Sequence, residues 1–193
     1  MIIISNPTAI ANEIKIIYSL FEEGMELFHV RKPNFSETEI KTLVTAIGLE
    51  YRNKLVLHSY HYLAEDLGIN RIHFSSTNRP DSFQKAKDFT VSTSTHSIEE
   101  FNTLSDIFDY AFLSPVFTSI SKENYIPKTD LFEAIKKRNN FNTKLIGLGG
   151  ISAINSKQTL EKGFDGIALL GTIWNTENPI KNFKLCQQIV LSF

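Results

Sequence analysis

Short apolar runs alternate with amphipathic stretches along the whole chain. Ile2–Ile4 reads as a strand, after which Ile10, Ile14, Ile17 and Phe21 recur at helical spacing and mark one face, with Gly24 as the stop. Met25–Val30 predicts the second strand. Ser36 and Glu39 have the spacing of a capping box ahead of Ile40, Leu43, Val44 and Ile47, a second helical face. Lys54–Leu57 predicts strand three, followed by a short helix near Tyr60–Leu67 that ends at Gly68. Arg71–Phe74 and Phe89–Thr93 predict strands four and five, Ser97 opens a helix through about Leu104, and Asp109–Leu113 predicts strand six. A long polar segment runs from Ser114 to Lys128, and Asp130 can cap the helix beyond it. Lys144–Leu148 predicts strand seven, Ile151–Lys162 a helix closed by Gly163, and Phe164–Leu170 strand eight. Asn178 as cap and Pro179 in the first turn open the last helix.

Strands that alternate with helices pair in parallel, because parallel neighbours need a crossover between them. Several of these strands are nearly all apolar, as a sheet covered on both faces requires. A doubly wound open sheet fits the same alternation. Eight units favour closure, so the expected fold is a single-domain α/β chain, a compact (β/α)₈ TIM barrel over residues 1–193. The length of 193 residues is near the lower limit for that class, which demands short loops.

Composition narrows the function classes. With 42% hydrophobic and 21% charged residues the chain has enough apolar content for a core. A formal charge of −1 offers no basic footprint for nucleic acid, so an anionic ligand must be caught by a local cluster. No apolar run reaches the ~18–20 residues of a membrane span. The opening Met-Ile-Ile-Ile-Ser-Asn-Pro lacks the basic and apolar regions of a signal peptide, and the single Cys186 permits no internal disulfide, so a cytoplasmic location is expected.

Barrel active sites form where strands end, at their C-terminal side. After strand seven stands Gly147-Leu148-Gly149-Gly150, and after strand eight Gly171-Thr172. Glycines let backbone N–H groups approach an anion closely, and barrels often hold phosphate at these two turns. In strand two, period-two alternation puts Leu27, His29 and Arg31 on one face, and Phe28 and Val30 on the other. In the long loop, the hydroxyls of Ser119 and Ser121 and the ammonium of Lys122 could wrap a phosphate. His58, His61, His73 and His96 show no metal-ligand spacing such as HExxH, and their strand ends lack acidic residues, so no metal ligand is assigned. No G-x-S-x-G elbow supports a serine nucleophile.

In order, these segments resemble thiamine phosphate synthases and their thiazole tautomerase relatives, over nearly the whole chain. Phe28-His29-Val30-Arg31-Lys32 is similar to the family's strand-two arginine motif, and Gly68-Ile69-Asn70-Arg71-Ile72-His73-Phe74 to its "G-A-D-G-V-H-L" strand. Ser94-Thr95-His96-Ser97 resembles its "S-x-H-T" turn. Asp109-Tyr110 through Ser114-Pro115-Val116-Phe117, with Ser119, Ser121 and Lys122, resembles "D-Y-x-x-x-G-P-V-F-x-T-x-T-K". Leu148-Gly149-Gly150-Ile151 and Phe164-Asp165-Gly166-Ile167-Ala168 complete the pattern. The resemblance implies an enzyme of thiamine biosynthesis, a transferase that joins an aminopyrimidine diphosphate to a thiazole phosphate and releases diphosphate. It implies that Arg31, Ser94, Ser119, Ser121 and Lys122 hold the diphosphate, with Arg31 and Lys122 as the catalytic cations. It places the thiazole phosphate at Gly149, Gly150, Gly171 and Thr172, and puts His29 and His58 where the family has a glutamine and an asparagine on the substrate.

The pattern also departs from the family. Magnesium is the family's cofactor, held by an Asn-Asp pair after strand three and an aspartate after strand four. Those places carry His58-Ser59 and Asn78 here. The family lysine two places after the arginine is Pro33, with Lys32 one place earlier, and Pro115 stands where the tautomerase branch has a histidine. Two alternatives to the synthase stay open at this point. One is a non-catalytic or regulatory paralogue that binds thiazole phosphate or thiamine phosphate, and the other is a different reaction on a phosphorylated heterocycle.

Overall fold

The computed structural model describes residues 1–80, 84–118 and 130–193. Eight strands, β1 (Ile2–Ile4), β2 (Phe28–Val30), β3 (Leu55–Leu57), β4 (Arg71–Phe74), β5 (Thr90–Thr95), β6 (Tyr110–Leu113), β7 (Lys144–Leu148) and β8 (Gly166–Leu169), pair in parallel in chain order. The ring closes where Ile2 and Ile3 of β1 meet Ala168 and Leu169 of β8. Between and after the strands lie α1 (Glu13–Glu22), α2 (Glu37–Ile47), α3 (Ile98–Asn102), α4 (Leu131–Ala134), α5 (Ser156–Glu161), α6 (Gly171–Trp174) and α7 (Pro179–Val190). The expected (β/α)₈ barrel is thus the observed fold.

Strand pleating sorts the side chains into two cores. Ile3, Phe28, Val30, Leu55, Leu57, Ile72, Val91, Ala111, Leu113, Leu145 and Ile167 point outward and pack with the helices. Their neighbours Ile2, Ile4, Tyr110, Phe112, Ile146 and Ala168 fill the barrel interior. Helix α1 lays Ile17, Leu20 and Phe21 on the barrel, and α2 lays Ile40, Leu43, Val44 and Ile47. The Ser36–Glu39 capping box forms in both directions: Glu39 N–H donates to Ser36 Oγ at 3.3 Å, and Ser36 N–H donates to Glu39 Oε2 at 2.7 Å. Asp130 caps α4 by accepting from the N–H groups of Phe132 and Glu133.

Several boundaries differ from the sequence expectation, each for a local reason. Ile10 precedes α1, whose start at Glu13 follows a left-handed Asn12. The Tyr60–Leu67 segment holds a 3₁₀ turn at His61–Leu63 in place of a helix, entered through a left-handed Tyr60. Helix α5 starts only at Ser156, because Asn155 accepts from Ser152 N–H and donates to the Gly150 carbonyl, which folds the preceding residues into a turn. Asn178 makes no side-chain cap, and α7 begins on the preset φ of Pro179 alone. Strand β5 runs on through Ser94 and Thr95, which carries two polar residues to the barrel mouth. Among the described residues, no helix is long and apolar enough to cross a membrane.

Candidate functional site

A cavity of about 330 Å³ opens at the C-terminal ends of the strands. It brings together Arg31, His58, Ser94, Gly149, Gly150, Gly171 and Thr172 of the sequence-predicted set. His29 lies fully buried beneath its floor. Ser119, Ser121 and Lys122 lie outside the described residues. The cavity has two unlike walls.

One wall is backbone. Gly149 and Gly150 take φ of +100° and +64°, a region that costs most side chains energy but not glycine. Space gives the same answer: a Cβ on Gly149 would lie 2.9 Å from Pro115, and one on Gly150 would strike the Thr118 carbonyl oxygen. The chain after β6 is laced to this turn, with Val116 N–H donating to Leu148 O at 2.9 Å and Phe117 N–H to Gly149 O at 3.0 Å. Gly171 and Thr172 do not form a simple turn, as the sequence suggested, but open the short helix α6. Their N–H groups therefore sit in a first turn, where a helix supplies no acceptor. The Thr172 hydroxyl donates to Ile151 O, which ties the two glycine segments together and leaves the backbone as the ligand-facing part.

The other wall is imidazole and guanidinium. Arg31 is positioned through its own backbone: its N–H donates to Ser5 Oγ at 2.8 Å, and the Ser5 hydroxyl donates back to Arg31 O at 3.0 Å. Lys32, next in sequence, points away from the cavity. Its ammonium is buried against both carboxylate oxygens of Glu13, at 2.6 and 2.7 Å, and donates to Thr8 O at 2.8 Å. The expectation that Lys32 stands near the family lysine therefore does not place it in the site, because strand alternation sends it outward. Burial pushes the Glu13 carboxyl above its ordinary value, opposed by the Lys32 ammonium.

Three histidines meet inside the barrel. His29 Nδ1 faces His58 Nε2 at 2.8 Å, His29 Nε2 faces Tyr110 Oη at 2.7 Å, and the His58 and His73 rings stack with centroids 4.2 Å apart. His73 is held by two hydroxyls of β5, with Nδ1 at 2.8 Å from Ser92 Oγ and Nε2 at 2.9 Å from Ser94 Oγ. Burial, reinforced by His73, holds His29 and His58 well below the usual imidazole range. His73 itself is pushed down to about 3, chiefly by burial and then by the positive fields of His61 and Arg31. All three are neutral at physiological pH. Burial also lowers the Arg31 pKa and raises that of Tyr110.

His73 lines the cavity without having been expected there from the sequence, as do Ser75, Ser76, His96 and Ser114. The signal for His73 was available: the alternation applied to β2 also turns one face of Arg71-Ile72-His73-Phe74 inward, opposite Ser92 and Ser94 of β5. Asn78, where the family has an aspartate, is absorbed in a turn, its N–H donating to Ser75. Magnesium requires oxygen ligands, usually with one or two carboxylates. Among the described residues no carboxylate lines the cavity, and His58 is the lining residue at the end of β3. These residues do not fit magnesium held by protein carboxylates.

Comparison with known proteins places this chain in a family. Residues 1–173 match the family described as thiamine monophosphate synthase. A thiamine-phosphate synthase of Streptococcus suis is 32% identical over 101 residues, 49% of this chain and 44% of that protein, so the match spans less than half of that relative. The thiamine-phosphate synthase of Bacillus cereus is 25% identical over 181 residues, 89% of this chain and 83% of that protein. The crystal structure of thiamine phosphate pyrophosphorylase from Bacteroides thetaiotaomicron superposes with a TM-score of 0.77 at 31% identity, covering 98% of this chain and 96% of that one.

Proposed function

This chain belongs to the thiamine monophosphate synthase family, and on that premise we propose that it couples an aminopyrimidine diphosphate to a thiazole phosphate in thiamine biosynthesis, releasing diphosphate. The observation that carries this reading is the joining of both walls in one cavity, Arg31, His58 and Ser94 on one side and Gly149, Gly150, Gly171 and Thr172 on the other. Two phosphorylated substrates can then meet without leaving the barrel mouth.

The bond between the pyrimidine methylene carbon and the diphosphate oxygen breaks, and both electrons leave with diphosphate. The thiazole nitrogen lone pair then forms the new carbon–nitrogen bond to the pyrimidine cation, with no change in oxidation state. Arg31 and Ser94 face the departing diphosphate, assisted by Ser119, Ser121 and Lys122 as the resemblance implies. Arg31 and Lys122 are the cations that offset its growing charge; charge-assisted hydrogen bonds of this kind contribute about 1.5–3 kcal/mol each. The N–H groups of the glycine wall seat the thiazole phosphate, and backbone donors there need no reorganisation during the reaction. His58, with His29 below it, forms the floor under the heterocycle. The lone buried Cys186 suits a reducing cytoplasm, where we place the reaction.

The test is direct. Purified protein is given both substrates across a series of divalent cations, and thiamine phosphate and diphosphate are measured. Equal amounts of the two products are expected. Absence of both under every cation overturns the reaction, and a thermal shift with thiazole phosphate in that case would favour a binding paralogue.

A further inference from the structure

We propose that His29, His58 and His73 form a three-imidazole site for one divalent transition-metal ion of the zinc class, set in the barrel floor. Each histidine offers one ring nitrogen, and the three nitrogens lie within 4.8 Å of one another. A tetrahedral zinc ion with bonds of about 2.0–2.1 Å spaces its nitrogen ligands about 3.3 Å apart. The observed separations bracket that value, from 2.8 Å between His29 Nδ1 and His58 Nε2 up to the 4.8 Å limit.

The surroundings favour ligation over a purely structural hydrogen-bond network. A metal-bound histidine almost always donates its second ring N–H to an oxygen, which fixes its tautomer and orientation. Two of the three already have such a partner: Tyr110 Oη at His29 Nε2, 2.7 Å, and Ser92 Oγ at His73 Nδ1, 2.8 Å. With those nitrogens protonated, the lone pairs lie on His29 Nδ1 and His73 Nε2, which face His58 Nε2 at 2.8 Å and Ser94 Oγ at 2.9 Å, so a bound ion would take the place of these two contacts. Phe112 packs against both His29 and His73.

Ligand chemistry sets the metal class. Three imidazole nitrogens without a carboxylate suit zinc, cobalt, nickel or copper, and are wrong for magnesium or calcium. His58 and His73 both border the cavity. The fourth position therefore faces the space shared with Arg31, where water or an anionic oxygen can complete the coordination, the open arrangement of catalytic zinc sites. The metal site shares His29 and His58 with the floor proposed above, but metal binding is measured without substrates, so the two readings can fail separately.

The experiment titrates chelator-treated, folded wild-type protein with zinc by calorimetry and with cobalt by visible absorption. One ion per chain is expected, with the intense absorption of tetrahedral cobalt and no competition from a large excess of magnesium. Tyr110→Phe should weaken binding about 10- to 100-fold by removing an outer-shell partner. His73→Gln and the pair His29→Gln/His58→Asn should abolish stoichiometric binding, whereas His96→Gln should leave it unchanged. Absence of binding, a weak octahedral cobalt spectrum, or binding that survives loss of the three histidines overturns the proposal. If the histidine variants do not fold, the wild-type cobalt spectrum and stoichiometry decide alone. Thiamine phosphate formation by chelated protein is measured alongside, so that loss of the metal site and loss of the synthase reading are separate results.

Discussion

The two walls of the cavity are built from different materials. The glycine wall is backbone: Gly149 and Gly150 in left-handed turns, stitched to the chain after β6 and joined to α6 through Thr172. The histidine wall is side chains: Arg31, His58 and His73 lining the space, with His29 beneath them. A backbone seat carries no titratable group and works only through its shape. A side-chain wall can change its chemistry by substitution while the strands beneath stay in register. The resemblance read from the sequence implies the family pattern at the glycine turns, whereas His29 and His58 of the histidine wall stand where it implies a glutamine and an asparagine.

Acid should separate the walls most strongly. The pKa values of His29, His58 and His73 are depressed in the folded chain, so the folded state binds fewer protons than the unfolded one below the ordinary imidazole range. The stability these groups contribute is fully present above about pH 6.5 and is lost as pH falls toward the folded values, about 3 for His73. The groups facing the cluster, Arg31, His61 and Tyr110, add no negative charge that would relieve it. Denaturant melts in chelator should show stability falling steadily from pH 6.5 to 4, and His29→Gln/His58→Asn should flatten that slope. An unchanged slope in the double variant would refute the imidazole origin.

Next in size is the support behind the histidine wall. Glu13→Ala leaves the Lys32 ammonium buried without its carboxylate at the end of β2, a loss of about 3–5 kcal/mol. Urea unfolding measures it, and a change below about 1 kcal/mol would mean that water reaches Lys32. Arg31→Gln removes the cation without disturbing the Ser5 clamp, which uses only backbone atoms of residue 31. Loss of one charge-assisted contact predicts a fall in kcat/KM of about 10- to 100-fold with little change in Tm. The last test falls on the glycine wall. Gly150→Ala must accommodate a Cβ at φ +64° against Thr118, at a cost of about 1–3 kcal/mol. It should weaken binding of the thiazole phosphate more than that of the diphosphate substrate; equal loss for both would erase the division between the walls.

Much of this architecture was legible in the sequence, because barrel strands and their helices follow simple periods. The outward and inward faces of β2, the Ser36–Glu39 box and both glycine segments could be read from spacing alone. The helix expected near Tyr60–Leu67 could not, since a left-handed Tyr60 and a 3₁₀ turn leave no mark on hydrophobic periodicity. The histidine cluster was hidden for another reason. Its members come from β2, from the end of β3 and from β4, so their adjacency exists only once the barrel closes and sets the register of neighbouring strands. A search for ligands at fixed sequence spacing finds sites on one helix or loop and passes over this kind.

The central claim is that one cavity holds the phosphate of a thiazole on its backbone wall and the heterocycle over its histidine floor. A crystal structure of the protein with bound thiamine phosphate tests it most directly. The phosphate oxygens are expected within hydrogen-bond distance of N–H groups of Gly149–Gly150 and Gly171–Thr172, with the pyrimidine toward His58. A phosphate seated at Arg31 with the glycine segments bare would contradict it.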